Sequence, residues 1–122
     1  IYVAPGDVHM SVRKNEQGVA IALDDGPQVH FCRPAVAPLF MSAAEIWGSH
    51  VLGGVLTGMG SDGTEGSAAI VNAGGSIIAQ DEATSGGWGM PGSVAEAGLC
   101  AAILPVQEIG PRIARLFLGD RS

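Results

Sequence analysis

Apolar positions along the chain fall into two alternating spacings. Tyr2 to Ala4 form a strand-like run that stops at the turn signal Pro5-Gly6-Asp7. Met10 to Lys14 and Val19 to Leu23 flank Asn15-Glu16-Gln17-Gly18, which predicts a hairpin closed by Asp24-Asp25-Gly26-Pro27. From Pro34 the period changes. Val36, Leu39, Phe40, Ala43 and Trp47 recur at helical spacing, with Pro34 suited to a first turn and Gly48 to an end. Val51 to Leu56 is apolar without alternation, the pattern of a strand covered on both faces. Gly63 to Ala73 reads as a helix stopped by Gly74-Gly75, and Ser76 to Ala79 as a second buried strand. A loop from Asp81 to Met90 leads to a short helix from Pro91 to about Ala97, with Gly98 as its stop. Ala101 to Leu104 is a last strand, and Ile109, Ile113, Leu116 and Phe117 mark a closing helix.

Strand and helix alternate from Pro34 onward, so the predicted class is α/β with a mainly parallel sheet and one antiparallel hairpin. No repeat or low-complexity tract interrupts it. The chain opens on the strand pattern Ile1-Tyr2-Val3-Ala4 without an initiator methionine, so it reads as a piece of a longer protein and the fold as a partial domain. A parallel sheet cut midway exposes an edge, which predicts self-association or partial disorder of such a piece.

Composition narrows the function classes. With 122 residues, 47% of them hydrophobic, the chain amounts to one domain at most, with a small core. The apolar runs are far shorter than the roughly 20 residues of a membrane helix, so no membrane insertion is expected. A net charge of −6 argues against nucleic acid or an anionic membrane as partner. Cys32 and Cys100, with no paired motif, read as reduced thiols of a cytoplasmic protein that serve packing. His30-Phe31-Cys32 offers two ligand types without a second pair, so no metal site is expected.

Chemistry concentrates in the turn after Val51 to Leu56. Gly58-Met59-Gly60-Ser61-Asp62-Gly63 follows a strand and opens a helix, at the sheet edge where ligands collect in open α/β folds. Three readings fit it. Gly58, Gly60 and Gly63 match a dinucleotide fingerprint, with Asp81 or Glu82 near the offset of a ribose-binding acid. Asp62 opposes that reading, because its carboxylate competes with a pyrophosphate for the same helix N-terminus. Alternatively, Asp62 simply caps the helix that begins near Gly63. The third reading makes Asp62 the buried acid of a Ser-His-Asp hydrolase. Its partners are hard to find. His50 precedes its strand and falls at the opposite end of the sheet, while His9 lies beside the Pro5 to Asp7 turn, where a structural hydrogen bond is the commoner role. Ser61 adjoins the acid, and no nucleophile elbow exists.

A resemblance selects among these readings. Leu56-Thr57-Gly58-Met59-Gly60-Ser61-Asp62-Gly63 resembles the signature of the chemotaxis protein-glutamate methylesterases, the CheB family. So do Tyr2-Val3-Ala4-Pro5-Gly6-Asp7 with His9-Met10, Arg33-Pro34, Ala79-Gln80-Asp81-Glu82-Ala83-Thr84-Ser85 and Trp88-Gly89-Met90-Pro91, in the family's order across nearly the whole chain. The resemblance implies the C-terminal portion of a doubly wound methylesterase catalytic domain, residues 1–122. That domain demethylates methyl-glutamates on the cytoplasmic helices of chemoreceptors, deamidates certain receptor glutamines and needs no cofactor. It is normally controlled by an N-terminal receiver domain of a phosphorelay. By the same resemblance Asp62 is the triad acid, and Met59 supplies a backbone amide of the oxyanion hole. The family's serine and histidine have no counterpart among these residues, so the chain alone is expected to be inactive. Two departures bear on substrate contacts: Ala35 and Ala37 replace polar residues usual in the family, and Gly86-Gly87 replaces apolar β-branched ones, which predicts a looser loop.

Overall fold

The computed structural model describes residues 1–119. The hairpin forms where its turn chemistry places it: β1 (His9–Asn15) pairs antiparallel with β2 (Gly18–Asp24), Asn15 opposite Gly18. Asn15 Oδ1 accepts the Gln17 N–H at 2.8 Å, and Gly18 takes φ 122, a conformation glycine adopts without strain. Helix α1 (Val36–Trp47) follows, and Gly48 ends it at φ 54. It starts two residues later than Pro34 predicts. Pro38 occupies its third position instead, where a missing N–H costs no intrahelical bond.

The remaining elements are β3 (Leu52–Val55), α2 (Thr64–Asn72), β4 (Ser76–Gln80), α3 (Gly89–Glu96), β5 (Ala102–Leu104) and α4 (Val106–Phe117). The three strands form a parallel sheet in the order β3-β4-β5, with Leu52 opposite Ser76 and Ile78 opposite Ala102. Helices pack on both sides, so the predicted α/β class holds. On one side Ile77 of β4 and Val55 of β3 meet Ile70 of α2 and Val94 of α3, with Ala44 and Phe40 of α1 behind them. On the other side Ile78 faces Ile109 and Ile113 of α4 across an apolar groove of about 490 Å³.

Glycines set the close approaches. A Cβ on Gly66 would lie 2.7 Å from Phe40 Cβ, so only glycine lets α2 seat against α1 at this distance. Ala37 faces the same contact and is buried. The absence of larger side chains at these two positions draws the first turn of α1 toward the turn that precedes α2.

Two expectations fail. Tyr2 to Ala4 is not a strand, and Tyr2 and Val3 are exposed, because no strand among the described residues takes up its backbone groups. Strand β3 is covered on one face only. Gly53 and Val55 are buried, whereas Leu52 and Gly54 open onto the groove beside α4.

Candidate functional site

The loops after β3 and β4 meet at the carboxyl end of the sheet, and Asp62 lies between them and the start of α1. It is only 5% exposed. Its Oδ2 accepts the Val36 N–H at 2.6 Å, the first amide of α1. That helix has no cap of its own, since Ala35 carries no polar side chain. A carboxylate here satisfies an orphan donor and meets the positive end of the helix dipole. Capping is therefore part of its role, though not for the helix expected: α2 starts from Gly63 at φ 121 with no side-chain cap. The second oxygen, Oδ1, is buried and has no hydrogen-bond partner among the described residues. An unpaired buried acceptor costs about 1–3 kcal/mol, and more when charged. A cap needs only one oxygen, so the orphaned Oδ1 marks a place for a further donor.

Met59 lies on the same turn. Its side chain is exposed. Gly58 is bonded on both sides, donating its N–H to Gly87 O at 3.0 Å and accepting the Met90 N–H at 2.9 Å, whereas the Met59 N–H makes no such backbone bond among the described residues. The turn thus presents a free amide close in sequence to a buried carboxylate. Of the three glycines that could admit a pyrophosphate, Gly58 is otherwise employed, whereas Gly60 and Gly63 have no close neighbour. A Cβ on Gly58 would lie 3.0 Å from Met90 Sδ, and one on Gly89 only 2.8 Å from Gly60 N. The chain's own 87–90 segment thus takes up the space beside Gly58 and the Gly60 backbone. Asp81 is occupied as well, its Oδ1 accepting from Thr84 N and Thr84 Oγ1.

The histidines do not complete a triad. His9 is buried at 3% exposure, with Nε2 bonded to Pro27 O at 2.8 Å and Nδ1 accepting the Ala35 N–H at 3.2 Å. Both ring nitrogens are consumed, and the proton sits on Nε2. His9 is a structural brace that holds Ala35 next to the Val36 amide used by Asp62. His30 and Phe31 form a tight turn with φ 51 and 64, closed by the Val29 and Cys32 backbones, and His30 Nε2 reaches Glu65 Oε2 at 3.2 Å. His50 bonds Trp47 O at 3.3 Å, at the amino end of β3. Ser61 is exposed. Among the described residues no group of three or more His, Cys, Asp and Glu side chains gathers. Burial pushes the Cys100 thiol up from its ordinary value, which favours the protonated form.

The residue that sequence reasoning overlooked is Gln80, at the end of β4 and 2% exposed. Its signal was present: a polar side chain closing an apolar strand at the sheet edge where function collects. The departures from the family pattern also take on a physical meaning. Ala35 and Ala37 are buried, so they face the interior rather than a substrate. Gly87 is not loose, because its N–H and O are both bonded to Thr57 Oγ1, at 2.9 and 2.7 Å. Gly86 has open space around it.

With this geometry in view, the family model for CheB methylesterase matches residues 1–113. The chain belongs to the CheB methylesterase family. A protein-glutamate methylesterase/protein-glutamine glutaminase of Rhodopseudomonas palustris is 64% identical over 122 residues, all of this chain and 31% of that protein. One from Caulobacter vibrioides is 61% identical over 115 residues, which is 93% of this chain and 33% of that protein. The crystal structure of the Thermotoga maritima CheB methylesterase catalytic domain superposes with a TM-score of 0.91 at 38% identity, covering 94% of this chain and 61% of that one. The chain therefore spans about a third of the length of the curated CheB relatives it matches. No helix among the described residues is long and apolar enough to cross a membrane.

Proposed function

We propose that this chain is the C-terminal portion of a CheB methylesterase catalytic domain and supplies the acid of a Ser-His-Asp mechanism. Asp62 is that acid. Its Oδ2 is fixed by the α1 N-terminus, and its Oδ1 receives the Nδ1–H of an imidazole carried by polypeptide outside these residues. The carboxylate holds the imidazole in the tautomer that takes a proton from the nucleophilic serine, and it stabilises the imidazolium that results. The Met59 N–H donates to the oxyanion as the ester carbonyl becomes tetrahedral, where a preorganised donor contributes most. Collapse of that intermediate expels methanol, or ammonia from a glutamine, and water then releases glutamate from the acyl-enzyme. The substrate is a methyl-glutamate on the cytoplasmic helices of a chemoreceptor, and a receiver domain elsewhere in the intact protein controls access. The site of action is the cytoplasm. The serine and histidine lie outside this chain, so it is inactive by itself.

One observation carries the proposal: a buried carboxylate whose first oxygen is held by a helix amide while its second has no donor among the described residues. The test is methanol release from methylated receptor by the intact enzyme. Saturable release accompanied by free glutamate at the receptor is expected. Absence of release, or saturable NAD binding in its place, contradicts the proposal.

A further inference from the structure

Gln80 is joined on both sides to the segments that frame the Asp62 turn. Its Oε1 accepts the Thr57 N–H at 2.9 Å, and its Nε2 donates to Thr84 O at 2.8 Å and to Thr84 Oγ1 at 3.2 Å. The amide orientation follows from these partners, since an N–H must face the oxygen and a carbonyl the nitrogen. Trp88 Nε1 donates to the Gln80 carbonyl at 3.2 Å. Thr57 is strapped in turn to Gly87 by its hydroxyl, and Gly58 donates to the Gly87 carbonyl. The result is a path of bonds from the end of β4 to the residue two before Met59.

Packing closes the same path. A Cβ on Gly87 would lie 2.8 Å from Met59 Sδ, and one on Gly89 would lie 2.8 Å from Gly60 N. The 57–60 turn is therefore clamped between the 84–90 segment and the end of β4. Gln80 is the buried member of this network, and both ends of its amide are engaged. A buried polar group of this kind rigidifies its surroundings when every atom is satisfied.

We propose that Gln80 is a positioning residue for the oxyanion hole: through Thr57 it fixes the turn from which the Met59 N–H is presented. The proposal rests on the esterase reading, in which that amide contacts the reacting carbonyl. Gln80 itself touches no substrate. Its loss should lower kcat while leaving substrate binding in place, because the displaced donor acts only in the transition state.

The test is steady-state kinetics of the intact enzyme on methylated receptor, with Asp62→Asn as control. Gln80→Met keeps the length but removes all three side-chain bonds, and should lower kcat by about 10- to 100-fold, as a small misplacement of a catalytic group does. KM should stay within about threefold. Gln80→Glu retains the acceptor for Thr57 N–H and should recover part of the loss. Thr57→Val removes the Gly87 strap, the next link in the path, at an exposed position, and should show the same kcat-selective fall. If Gln80→Met does not fold, Gln80→Asn, polar but too short to reach both partners, decides the matter in its place. Wild-type kcat in folded Gln80→Met or Gln80→Asn, or a loss confined to KM, overturns the proposal while an inactive Asp62→Asn leaves the esterase reading standing. Full turnover by Asp62→Asn removes both.

Discussion

The carboxyl-end turns of the sheet and the groove beside α4 are built on opposite terms. At the turns, polar groups are bonded one to another: buried Gln80 at both ends of its amide, surface Thr57 to Gly87, and buried Asp62 to the first amide of α1. The groove is apolar and open, with Leu52 and Phe117 exposed and Gly54 leaving one face of β3 uncovered. Buried polar groups demand partners one by one, whereas an apolar surface asks only to be covered. The orphaned Asp62 Oδ1 is thus a demand for one specific donor, and the groove is not. Positions at the turns should govern chemistry, while core positions of the sheet govern stability and groove positions govern little in this chain.

The sharpest break of that contrast comes from Asp62→Asn in the intact enzyme. Turnover should fall on the order of 10⁴-fold, read as methanol release at saturating receptor. Next is Ile77→Ala, on the covered side of the same sheet, which should lower unfolding free energy by about 2–5 kcal/mol in denaturant titration. A loss well under 1 kcal/mol would mean that the covered side is not the core. Gly66→Ala joins the two regions, since its Cβ must push Phe40 and α1 away. It should cost about 1–3 kcal/mol, and it should slow turnover as the Val36 amide moves off Asp62. The smallest effect belongs to the groove. Leu52→Ala should change the stability of this chain by less than about 1 kcal/mol, and a loss equal to that of Ile77→Ala would erase the contrast.

Local signals were legible, and those that depend on distant contacts were not. The hairpin could be read because Asn15 and Gly18 encode their own turn, and the α/β alternation because each element carries its own period. Tyr2 to Ala4 has the composition of a strand, but pairing is a property of two segments and its backbone finds none among the described residues. Asp62 stood out as an acid among glycines. Which helix it serves was hidden, because the Val36 amide that it binds lies 26 residues earlier. Gln80 signals itself as a polar residue closing an apolar strand, but its partner does not, as its Oε1 contact with Thr57 spans 23 residues. The structure also corrected the meaning of nearby changes: Ala35 and Ala37 are interior, and Gly87 is tied down.

The central claim is that Asp62 Oδ1 accepts an imidazole N–H in the assembled enzyme. Proton NMR of the intact, nitrogen-15-labelled protein tests it directly. A strongly deshielded proton bonded to an imidazole nitrogen should be present in the wild type and vanish in Asp62→Asn. A wild type without such a proton, or one that survives unchanged in Asp62→Asn, contradicts it.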